Sequence, residues 1–439
     1  MTIAIIGGGI AGASTAYHLA RAGRDVVLFE RGDIASEASG VNAGSIGALG
    51  WGRVPDLQAT LTTGSLEIFK TLQLDLGYDI EFRQSGALQA IHTEAQYEFA
   101  RDQVLALRAN GYTVELLTIR EARGLEPALS PDLLGAVHSP LRAQADPRKA
   151  TRAFATAAER AGARILTGQE VTAIEPTADG YRIAAADGEH AVESLVIAAG
   201  AWCGPVGRML GVNIPIVPVR GQMWATDPLP PSFFRVVSST ESTLAWHRSP
   251  KSAPDAPPWL THRGATRLTR HLYGRQTRTG EVIFGGDRET LGYVTSVGDA
   301  GIESNKRHAE EVLPFLAEVP VRRTWSGLMP FPLDGAPIIG LIPGMPRLYA
   351  VTGLASSGFG RGPMAGQLLA EYIHSGDRPS LLGEADPARC VTLGAEPPAG
   401  TRARNGARPA ARARGRSTRR EPATRSVARA PRSRRLRSR

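Results

Sequence analysis

The first thirty residues alternate apolar runs with turn residues in a pattern that predicts a strand, a helix and a second strand. Residues 3–6 (IAII) form a short apolar run that is typical of a buried parallel strand. A glycine cluster follows, and a helical stretch to about residue 22 ends at Gly23, the residue type that most often stops a helix. Residues 25–29 (DVVLF) predict the next strand, which leads into Glu30. The segment is therefore predicted to form one complete βαβ unit.

Further along, the spacing of apolar residues predicts more helices and a second group of strands. Helices are predicted at residues 146–162 and at residues 363–374, the latter opened by glycines and a proline. Strands are predicted at residues 164–166, 171–174, 181–184, 195–198 and 348–351. Strand composition with intervening turns at residues 84–91, 214–226 and 281–285 indicates an antiparallel sheet in a second domain, and the proline-rich residues 248–264 indicate a long surface loop.

A GxGxxG motif lies between the first strand and the first helix, at Gly7, Gly9 and Gly12. Gly7 would allow a tight turn, Gly9 the approach of a pyrophosphate to the backbone, and Gly12 close packing of the helix on the strand. The helix N-terminus offers N–H groups to phosphates, and Glu30 could accept hydrogen bonds from ribose hydroxyls. The pattern predicts a dinucleotide site, and a glycine-rich turn with an incidental acid is the disfavoured alternative.

A second run of small residues, ASGVNAGSIG at residues 38–47, follows soon after this acidic residue. Such a loop can bring backbone N–H groups close to a large flat ring and its pyrophosphate. A nicotinamide-dependent enzyme has no evident need for it there, so the loop favours FAD over NAD. Taken alone, the segment could also be an ordinary flexible loop.

Length and composition limit the remaining possibilities. A chain of 439 residues exceeds one ordinary core, so two domains are expected. Its two cysteines, Cys203 and Cys390, cannot build a disulfide framework and lack zinc-ligand spacing, which favours a reducing compartment. No apolar stretch approaches the roughly 20 residues that span a bilayer, and the N-terminus lacks the basic region of a secretory signal. These features predict a cytoplasmic protein without a membrane span or a metal site.

The net charge of +9 is unevenly distributed along the chain. Residues 391–439 contain 15 arginines, no lysine and two acids, a charge of +13, which leaves −4 for residues 1–390. Such an arm could bind nucleic acid or acidic partners. We favour the alternative that the tail is disordered and irrelevant to the activity, because arginine without lysine among Ala, Pro, Ser and Gly resembles GC-rich DNA translated out of frame. Nucleic acid is therefore not expected as a partner.

A series of segments through the chain is shared with one enzyme superfamily. In order they read IIGGGIAGASTAYHLARAG, ASGVNAGSIG, ADPRKATRAFATAAERAGARI, LVIAAGAWCGPV, PIVPVRGQM, EVIFGGDRE, WSGLMPFPLDGAPIIG and LYAVTGLASSGFGRGPMAGQLLAEYI. Together they resemble the FAD-dependent D-amino-acid oxidase superfamily, which includes glycine oxidase, sarcosine oxidase and D-amino-acid dehydrogenases. The resemblance spans about residues 3–389 and is specific for the superfamily, not for a substrate.

The resemblance implies an α/β plus α+β fold with two domains. A Rossmann-type FAD-binding domain would be assembled from three chain segments, residues 1–80, 142–213 and 325–390. Residues 81–141 and 214–324 would form a substrate domain built on an antiparallel sheet. Residues 391–439 would remain as a disordered arginine-rich tail.

The resemblance also assigns residues to a noncovalently bound FAD. Gly7, Gly9, Gly12 and Glu30, with Arg31 beside them, would hold the ADP half, while Ser39, Asn42, Ala43, Gly44 and Ser45 would line the pyrophosphate and flavin. Val171 would meet the adenine side, with Ala199, Gly200 and Trp202 closing over it, and Asp334, Gly335, Gly358 and Gly360 would surround the ribityl and pyrimidine end. Some relatives attach flavin to a cysteine, but neither Cys203 nor Cys390 is expected to do so.

Members of the superfamily move a hydride from a carbon bearing nitrogen to the flavin, giving an imine that hydrolyses. The resemblance therefore implies oxidation of the C–N bond of a small amine or amino acid, D- or N-substituted, without a dedicated acid or base. The alternatives are oxidation of a 2-hydroxy acid, or an FAD-binding subunit of a multi-subunit amine or opine oxidase. Lysine near the flavin helps some relatives react with oxygen, and no lysine follows Lys306, so a dehydrogenase is slightly favoured over an oxidase.

The substrate carboxylate usually needs an arginine, and here the sequence departs from its relatives. Glycine oxidase and D-amino-acid oxidase place an arginine where this chain has Met329, and a second arginine of glycine oxidase corresponds to Ser356. This departure puts simple glycine or D-amino-acid oxidation in question. Arg275 is the first candidate for a replacement, Arg361 and Arg53 are alternatives, and Tyr273, His271 and Trp246 could form a polar or aromatic wall. For each arginine, a solvated surface charge is the competing interpretation.

Overall fold

The structure is a computed structural model that describes residues 2–47, 56–248 and 271–394. Four predicted features lie outside the described residues: Arg53, the side chain of Trp246, the proline-rich loop from residue 249 onward and the tail from residue 395 onward. Within the described ranges, no helix is both long and apolar enough to cross a membrane. The same ranges contain no cluster of His, Cys, Asp and Glu side chains that could hold a metal ion.

Within these ranges the strands are, in chain order, β1 (Thr2–Ile6), β2 (Asp25–Phe29), β3 (Ser45–Ile46), β4 (Ala87–Ile91), β5 (Glu115–Thr118), β6 (Gly135–Ser139), β7 (Ala143–Gln144), β8 (Arg164–Leu166), β9 (Ala173–Pro176), β10 (Tyr181–Ala185), β11 (Gly188–Val192), β12 (Ser194–Ile197), β13 (Val212–Asn213), β14 (Ile216–Pro228), β15 (Val236–Ser239), β16 (Tyr273–Gln276), β17 (Glu281–Glu289), β18 (Arg323–Pro332), β19 (Ile338–Leu341), β20 (Leu348–Thr352) and β21 (Thr392–Leu393).

The α-helices of the same ranges are α1 (Ile10–Arg21), α2 (Ala38–Val41), α3 (Asp56–Leu74), α4 (Glu94–Ala109), α5 (Ile119–Leu125), α6 (Pro147–Arg160), α7 (Cys203–Arg208), α8 (Thr240–Arg248), α9 (Asp299–Val312) and α10 (Gly358–Ser375). Short 3-10 helices lie at Gly200–Trp202, Pro314–Glu318, Ala355–Ser357, Ser380–Ala385 and Pro387–Arg389.

A six-stranded sheet contains the predicted βαβ unit at its centre. Its order is β19-β20-β12-β1-β2-β8, and every neighbouring pair is parallel except the edge pair β19–β20. Ile3 and Ile5 of β1 face a core that includes apolar residues of α1, α3, α6 and α10, whereas Ala4 and Ile6 face a second core on the other side. Because alternate side chains of a strand point to opposite faces, a strand covered on both faces has the continuous apolar pattern that the sequence shows.

An eight-stranded sheet with the order β18-β14-β17-β16-β15-β4-β6-β5 is the other large layer. Its pairs are antiparallel except β15–β4, which is parallel, so the sheet is mixed where a purely antiparallel one was predicted. Trp224 of β14 and Phe284 of β17 pack with residues of α9, such as Ile302 and Ala309, on one face. The opposite face, which carries Met223, Ile283 and Tyr273, is turned toward the candidate site.

The structure differs from the predicted boundaries at several points. Helix α10 begins at Gly358, five residues before the proline that was taken as its start, and β9 begins two residues after the predicted strand. Most of β18 lies in the segment assigned to the FAD domain, yet β18 pairs with β14 in the eight-stranded sheet. β21 pairs with β13, so residues 391–394 belong to the folded body and not to the tail. The division into two domains remains a prediction.

Candidate active site

A cavity of about 370 Å³ is lined by residues of both large sheets and lies within the size range of small-molecule sites. The carboxyl ends of β1 and β2 open onto it with Gly7, Gly9 and Glu30, and the eight-stranded sheet contributes Met223 and Arg288. Ligands of open parallel sheets bind beyond the carboxyl ends of the strands. The cavity is therefore where the predicted cofactor residues and candidate substrate residues meet.

The glycine motif has the geometry that its spacing predicts. Gly7 adopts φ +117°, a conformation that favours glycine, and a Cβ there would lie 2.5 Å from the carbonyl oxygen of Ala198. A Cβ on Gly12 would lie 2.1 Å from the carbonyl oxygen of Gly7, so this position holds α1 tightly against the turn. Gly9 is the N-cap of α1 and has no side chain there, so the turn leaves room for a phosphate at the N-terminus of the helix.

Glu30 and Arg31 follow β2 at the same end of the cavity. The carboxylate of Glu30 accepts hydrogen bonds from the backbone N–H of Gly8 at 2.7 Å and of Gly32 at 2.8 Å. The guanidinium of Arg31 lies 4.0 Å from the ring centre of Trp202, a cation–π distance, and its Nη2 is 2.6 Å from the Glu37 carboxylate. These contacts fix an acidic side chain and a flat aromatic surface beside the glycine turn.

The second small-residue loop forms α2 and β3 and packs against α1. The hydroxyl of Ser39 accepts a hydrogen bond from the Ile10 N–H at 2.9 Å, and the side-chain oxygen of Asn42 accepts one from Gly44 at 2.8 Å. Ser39, Asn42 and Ser45 line the cavity. Gly44 has φ +78°, and a Cβ on it would lie 1.9 Å from the Ala145 carbonyl oxygen, so Ala43 and Gly44 support the loop from behind.

The residues present fit FAD. The start of α1 behind the N-cap Gly9, the glycine turn that any Cβ would fill, and Glu30 together form a dinucleotide cradle. Val171, Ala199, Gly200 and Trp202 line the same cavity, and Gly358 and Gly360 bring the start of α10 to it. Helix α10 also lacks a side-chain cap, so a second helix N-terminus is directed at the site.

Asp334 and Gly335 lie elsewhere and do not line the cavity. The Asp334 carboxylate forms an ion pair with Arg389 at 2.5 Å and accepts a hydrogen bond from the Ala336 N–H, while Gly335 occupies the turn before β19 with φ +81°. Both residues were predicted from their position in the family alone. They lie in the turn that follows β18, a strand of the eight-stranded sheet, and this turn lies away from the cavity.

Arg275, the first candidate for binding the substrate carboxylate, does not line the cavity, because it is buried behind the loop of residues 38–47. Its Nε donates a hydrogen bond to the Ala43 carbonyl at 2.5 Å, it is 3% exposed, and it does not line the cavity. Desolvation lowers its pKa, while Asp146 is the largest of the charges that oppose this effect. Arg275 therefore supports the loop that Ala43 belongs to.

Besides Arg31, three arginines line the cavity: Arg142, Arg288 and Arg361. Arg288 is 1% exposed, and burial lowers its pKa to about 9. Arg142 and Arg361 keep some accessible surface, as side chains on a cavity wall do, but desolvation lowers the pKa of each to about 10. At neutral pH all three remain protonated, and the carboxylates of Glu30, Glu37, Glu170 and Asp287 line the same cavity. Only Arg361 was among the predicted candidates.

A β-bulge explains why the sequence pattern missed Arg288. Strict alternation along β17 would place residue 288 on the same face as Phe284, which packs in the helix-side core. The pairing with β14 shifts between Gln222 and Met223, so that Gly286, at φ +143°, is an extra residue. This shift turns Arg288 to the cavity face. A glycine pair before a charged residue (GGDR) was the only available signal.

The remaining candidates form the wall beside Arg288. Met329, His271 and Tyr273 line the cavity, the two rings lie 5.7 Å apart, and the Tyr273 hydroxyl donates to Met223 Sδ at 3.6 Å. Burial lowers the pKa of His271 well below its usual value and raises that of Tyr273, so both groups are neutral at neutral pH. Ser356 also lines the cavity, and its buried hydroxyl has no hydrogen-bond partner among the described residues.

Comparison with known proteins gives a consistent result. The family described as "DAO: FAD dependent oxidoreductase" matches residues 2–372. The chain is 28% identical to glycine oxidase of Bacillus licheniformis over 373 residues, which are 84% of this chain and 92% of the relative. The structure resembles glycine oxidase from Geobacillus kaustophilus (TM-score 0.76, 24% identity, 88% of this chain and 98% of the other). It also resembles L-proline dehydrogenase from P. horikoshii (TM-score 0.76, 25% identity, 88% and 97%).

Proposed function

The chain belongs to the DAO family of FAD-dependent oxidoreductases, and from this premise we propose that it oxidises the C–N bond of a small amine or amino acid, D- or N-substituted. The observation that carries this proposal is the cavity itself, which joins a dinucleotide cradle to three enclosed arginines. A carboxylate is the natural partner of a guanidinium in a dry site, because two parallel N–H···O bonds compensate the desolvation of both groups. Glycine oxidase and L-proline dehydrogenase, to which the chain is similar, are named for amino-acid substrates.

FAD would be held by Gly7, Gly9, Gly12, Glu30 and the 38–47 loop, and when bound it supplies a flavin ring that can accept a hydride. The chain's own residues then bind and orient the substrate. Arg288 would anchor a carboxylate near Gly221, its neighbour on β14, beside the Met329 methyl group, which a Cβ on Gly221 would approach to 3.0 Å. Met329 and Tyr273 would give the site an apolar wall that excludes water.

Noncovalent attachment is supported by the positions of both cysteines. Neither lines the cavity. Cys203 is fully buried, and desolvation raises its pKa to about 12, while that of Cys390 rises to about 11. A thiol this weakly acidic forms little thiolate, which is the reactive species.

A dehydrogenase is favoured over an oxidase by the distribution of lysine. Lys251 lies outside the described residues, and none of Lys70, Lys149 and Lys306 lines the cavity. Lys306 instead forms an ion pair with Glu310 at 2.5 Å.

Anaerobic bleaching of the flavin absorbance by a panel of amines, amino acids and 2-hydroxy acids tests the proposal. Rapid bleaching by amines or amino acids supports it, and bleaching by hydroxy acids alone replaces it with oxidation at an oxygen-bearing carbon. A yellow protein that nothing bleaches, purified together with other chains, favours an FAD-binding subunit of a larger oxidase.

The role of Arg288 is tested by Arg288→Met, which keeps an unbranched apolar stem and removes the charge. We expect the apparent Kd for a carboxylated substrate to rise at least about tenfold, because a charged hydrogen bond is worth about 1.5–3 kcal/mol. Arg278→Met is the matched control, since Arg278 pairs with Asp79 on the surface. An unchanged Kd in Arg288→Met at full FAD content would contradict the assignment.

A further inference from the structure

The β-bulge that turns Arg288 to the cavity lies beside a buried polar pair. The register of β14 and β17 places Gln222 opposite Asp287 and Gly221 opposite Arg288. Gln222 is 2% and Asp287 1% exposed, and Gln222 Nε2 donates a hydrogen bond to the Asp287 carboxylate. Gly221 and Arg288 line the cavity, whereas Gln222 is not one of the described residues that do. Because neighbouring side chains of a strand point to opposite faces, Gln222 faces α9.

The start of α9 lies directly against this pair. The Gly298 N–H, at the N-cap of α9, donates a hydrogen bond to Gln222 Oε1 at 2.6 Å. A Cβ on Gly301, in the first turn, would lie 2.3 Å from both Asp287 Oδ2 and Gln222 Nε2. The polar pair therefore packs on the backbone of the helix, whose positive end favours a carboxylate and disfavours a guanidinium.

The two registers open to β17 place different charges against α9. In the bulged register Gly286 is the extra residue, Asp287 lies at the start of α9, and Arg288 faces the cavity. Strict alternation without the bulge would turn Arg288 toward the helix and its positive end. The Gln222 amide favours the bulged register, because its Nε2 can donate to a carboxylate but not to a guanidinium, which has only donors.

The next pair along the two strands favours the same register. Arg220 and Glu289 lie opposite one another and form a salt bridge, with side chains that are 6% and 13% exposed. A regular register, continued from the pair Met223–Gly285, would place Arg288 opposite Arg220 instead. Like charges directly opposite one another destabilise a sheet, so the bulge avoids a second cost.

We propose that Gln222 and Asp287 are positioning residues that hold β17 in its bulged register, turn Arg288 into the cavity and thereby set the affinity for a carboxylated substrate. This inference rests on the proposed function, because Arg288 is the carboxylate anchor of that proposal. A role in stability alone is the competing interpretation. Loss of the pair would then change the unfolding free energy without changing how the site distinguishes a carboxylate from a neutral ligand.

This distinction is measured with butyrate and butyramide, which differ at the group that Arg288 would bind. Each ligand is titrated into the FAD-loaded full chain at pH 8 and followed by the shift that it causes in the flavin spectrum, so that no turnover is needed. We expect butyrate to bind at least about tenfold more tightly than butyramide, because hydrogen bonds between charged groups are the stronger ones. Arg288→Met gives the reference for complete loss of this preference.

Two variants test the pair itself. Gln222→Glu places a carboxylate against the Asp287 carboxylate, and we expect butyrate and butyramide to bind to it within about threefold of each other. The double variant Gln222→Glu/Asp287→Asn exchanges the amide and the carboxylate between the strands. Its amide can donate to its carboxylate, and its side-chain oxygen at position 287 can still accept from the Arg288 N–H. This variant should restore a preference of at least about tenfold.

Gln367→Glu is the matched control. Gln367 Nε2 donates to the Glu371 carboxylate at 2.8 Å on the exposed surface of α10, so the variant brings two carboxylates together away from the bulge. Its butyrate preference should be unchanged. Gln222→Met, which removes the amide without adding a charge, replaces Gln222→Glu if that variant does not fold, and it should lower the preference at least about threefold.

An unchanged preference in either Gln222 variant at full FAD content overturns the inference, as does a folded double variant that fails to restore the preference. If no amine or amino acid reduces the flavin, but the preference is lost in Gln222→Glu and restored in the double variant, the proposed oxidation is wrong and the positioning role stands. If amines reduce the flavin and Gln222→Glu keeps the preference, the oxidation stands and the positioning role is wrong. Equal binding of butyrate and butyramide by the unsubstituted chain overturns both the carboxylate anchor and this inference.

Discussion

At the scale of single residues, His18 on α1 is expected to limit stability at acidic pH. Its ring packs on Tyr17 with centroids 4.9 Å apart, and its Nε2 has no hydrogen-bond partner among the described residues. Burial, and secondarily the charge of Arg21, lowers its pKa from 6.5 to about 4. Below pH 6.5 the His18 ring binds a proton in the unfolded chain but not in the folded chain. The stability present at higher pH is therefore lost as the pH falls toward 4.

Replacing the ring by one that cannot bind a proton tests this expectation. His18→Phe should unfold in urea with a smaller loss of free energy between pH 6.5 and 4 than the unsubstituted chain, by at most about 3 kcal/mol. His247→Phe is the control, because His247 is exposed on α8, with its ring centroid 5.2 Å from that of Phe99. Parallel pH curves for the chain and His18→Phe would show that His18 takes up its proton without unfolding.

Residues whose role depends on local backbone geometry could be predicted from the sequence, and residues whose role depends on strand register could not. Gly7 and Gly12 occupy positions that admit no Cβ, and Glu30 follows β2, as the motif spacing requires. Arg275 and Arg288 could not be ranked, because one is covered by a loop distant in sequence and the other is turned by a bulge. Neither the covering loop nor the bulge changes the spacing of apolar residues along the sequence.

At the scale of elements, the pairing of α1 with α10 brings two helix N-termini to the cavity. A Cβ on Gly366 would lie 2.8 Å from the backbone nitrogen of Thr15 and 2.9 Å from the carbonyl oxygen of Ala11. Ser14 Oγ donates a hydrogen bond to the Pro363 carbonyl at 2.8 Å across the same interface. Because backbone atoms cannot rotate away as a side chain can, an added methyl group must separate the helices.

Gly366→Ala is therefore expected to destabilise the chain by about 1–3 kcal/mol in urea unfolding and to weaken FAD binding measured by fluorescence titration. Gly383→Ala is the matched control, since a Cβ at Gly383 meets nothing within 4 Å, and its unfolding free energy should change little. Equal FAD affinity in both variants would mean that the spacing of α1 and α10 does not shape the cofactor site.

The start of α10 also shows what element prediction lacked. Proline fits most easily in the first turn of a helix, so the sequence placed the helix start at Pro363. In the structure the helix begins at Gly358, and Gly362 and Gly366 face α1 at four-residue spacing. Packing against α1 sustains the start of a helix whose glycines and internal Pro363 disfavour helix formation on their own, and local propensity does not register this tertiary compensation.

At the scale of the whole molecule, the boundary between the folded body and the arginine-rich segment decides which residues matter for activity. The sequence placed that boundary at residue 391, where the charge changes. The structure instead pairs β21 with β13, and Gly394 N–H donates to the Gly211 carbonyl at 2.8 Å. Val391 is 7% exposed and belongs to the core that contains Val212 and Ile342.

Two truncated chains locate this boundary by experiment. A chain that ends at residue 397 should keep the urea midpoint and the flavin reduction rate of the full chain, because the compact unit spans Met1–Pro397. A chain that ends at residue 390 should lose about 1–3 kcal/mol of unfolding free energy, because it lacks β21 and the buried side chain of Val391. Slower flavin reduction by the 397-residue chain would assign the arginine-rich segment a part in the activity, and equal stability of the two truncated chains would remove β21 from the fold's essential strands.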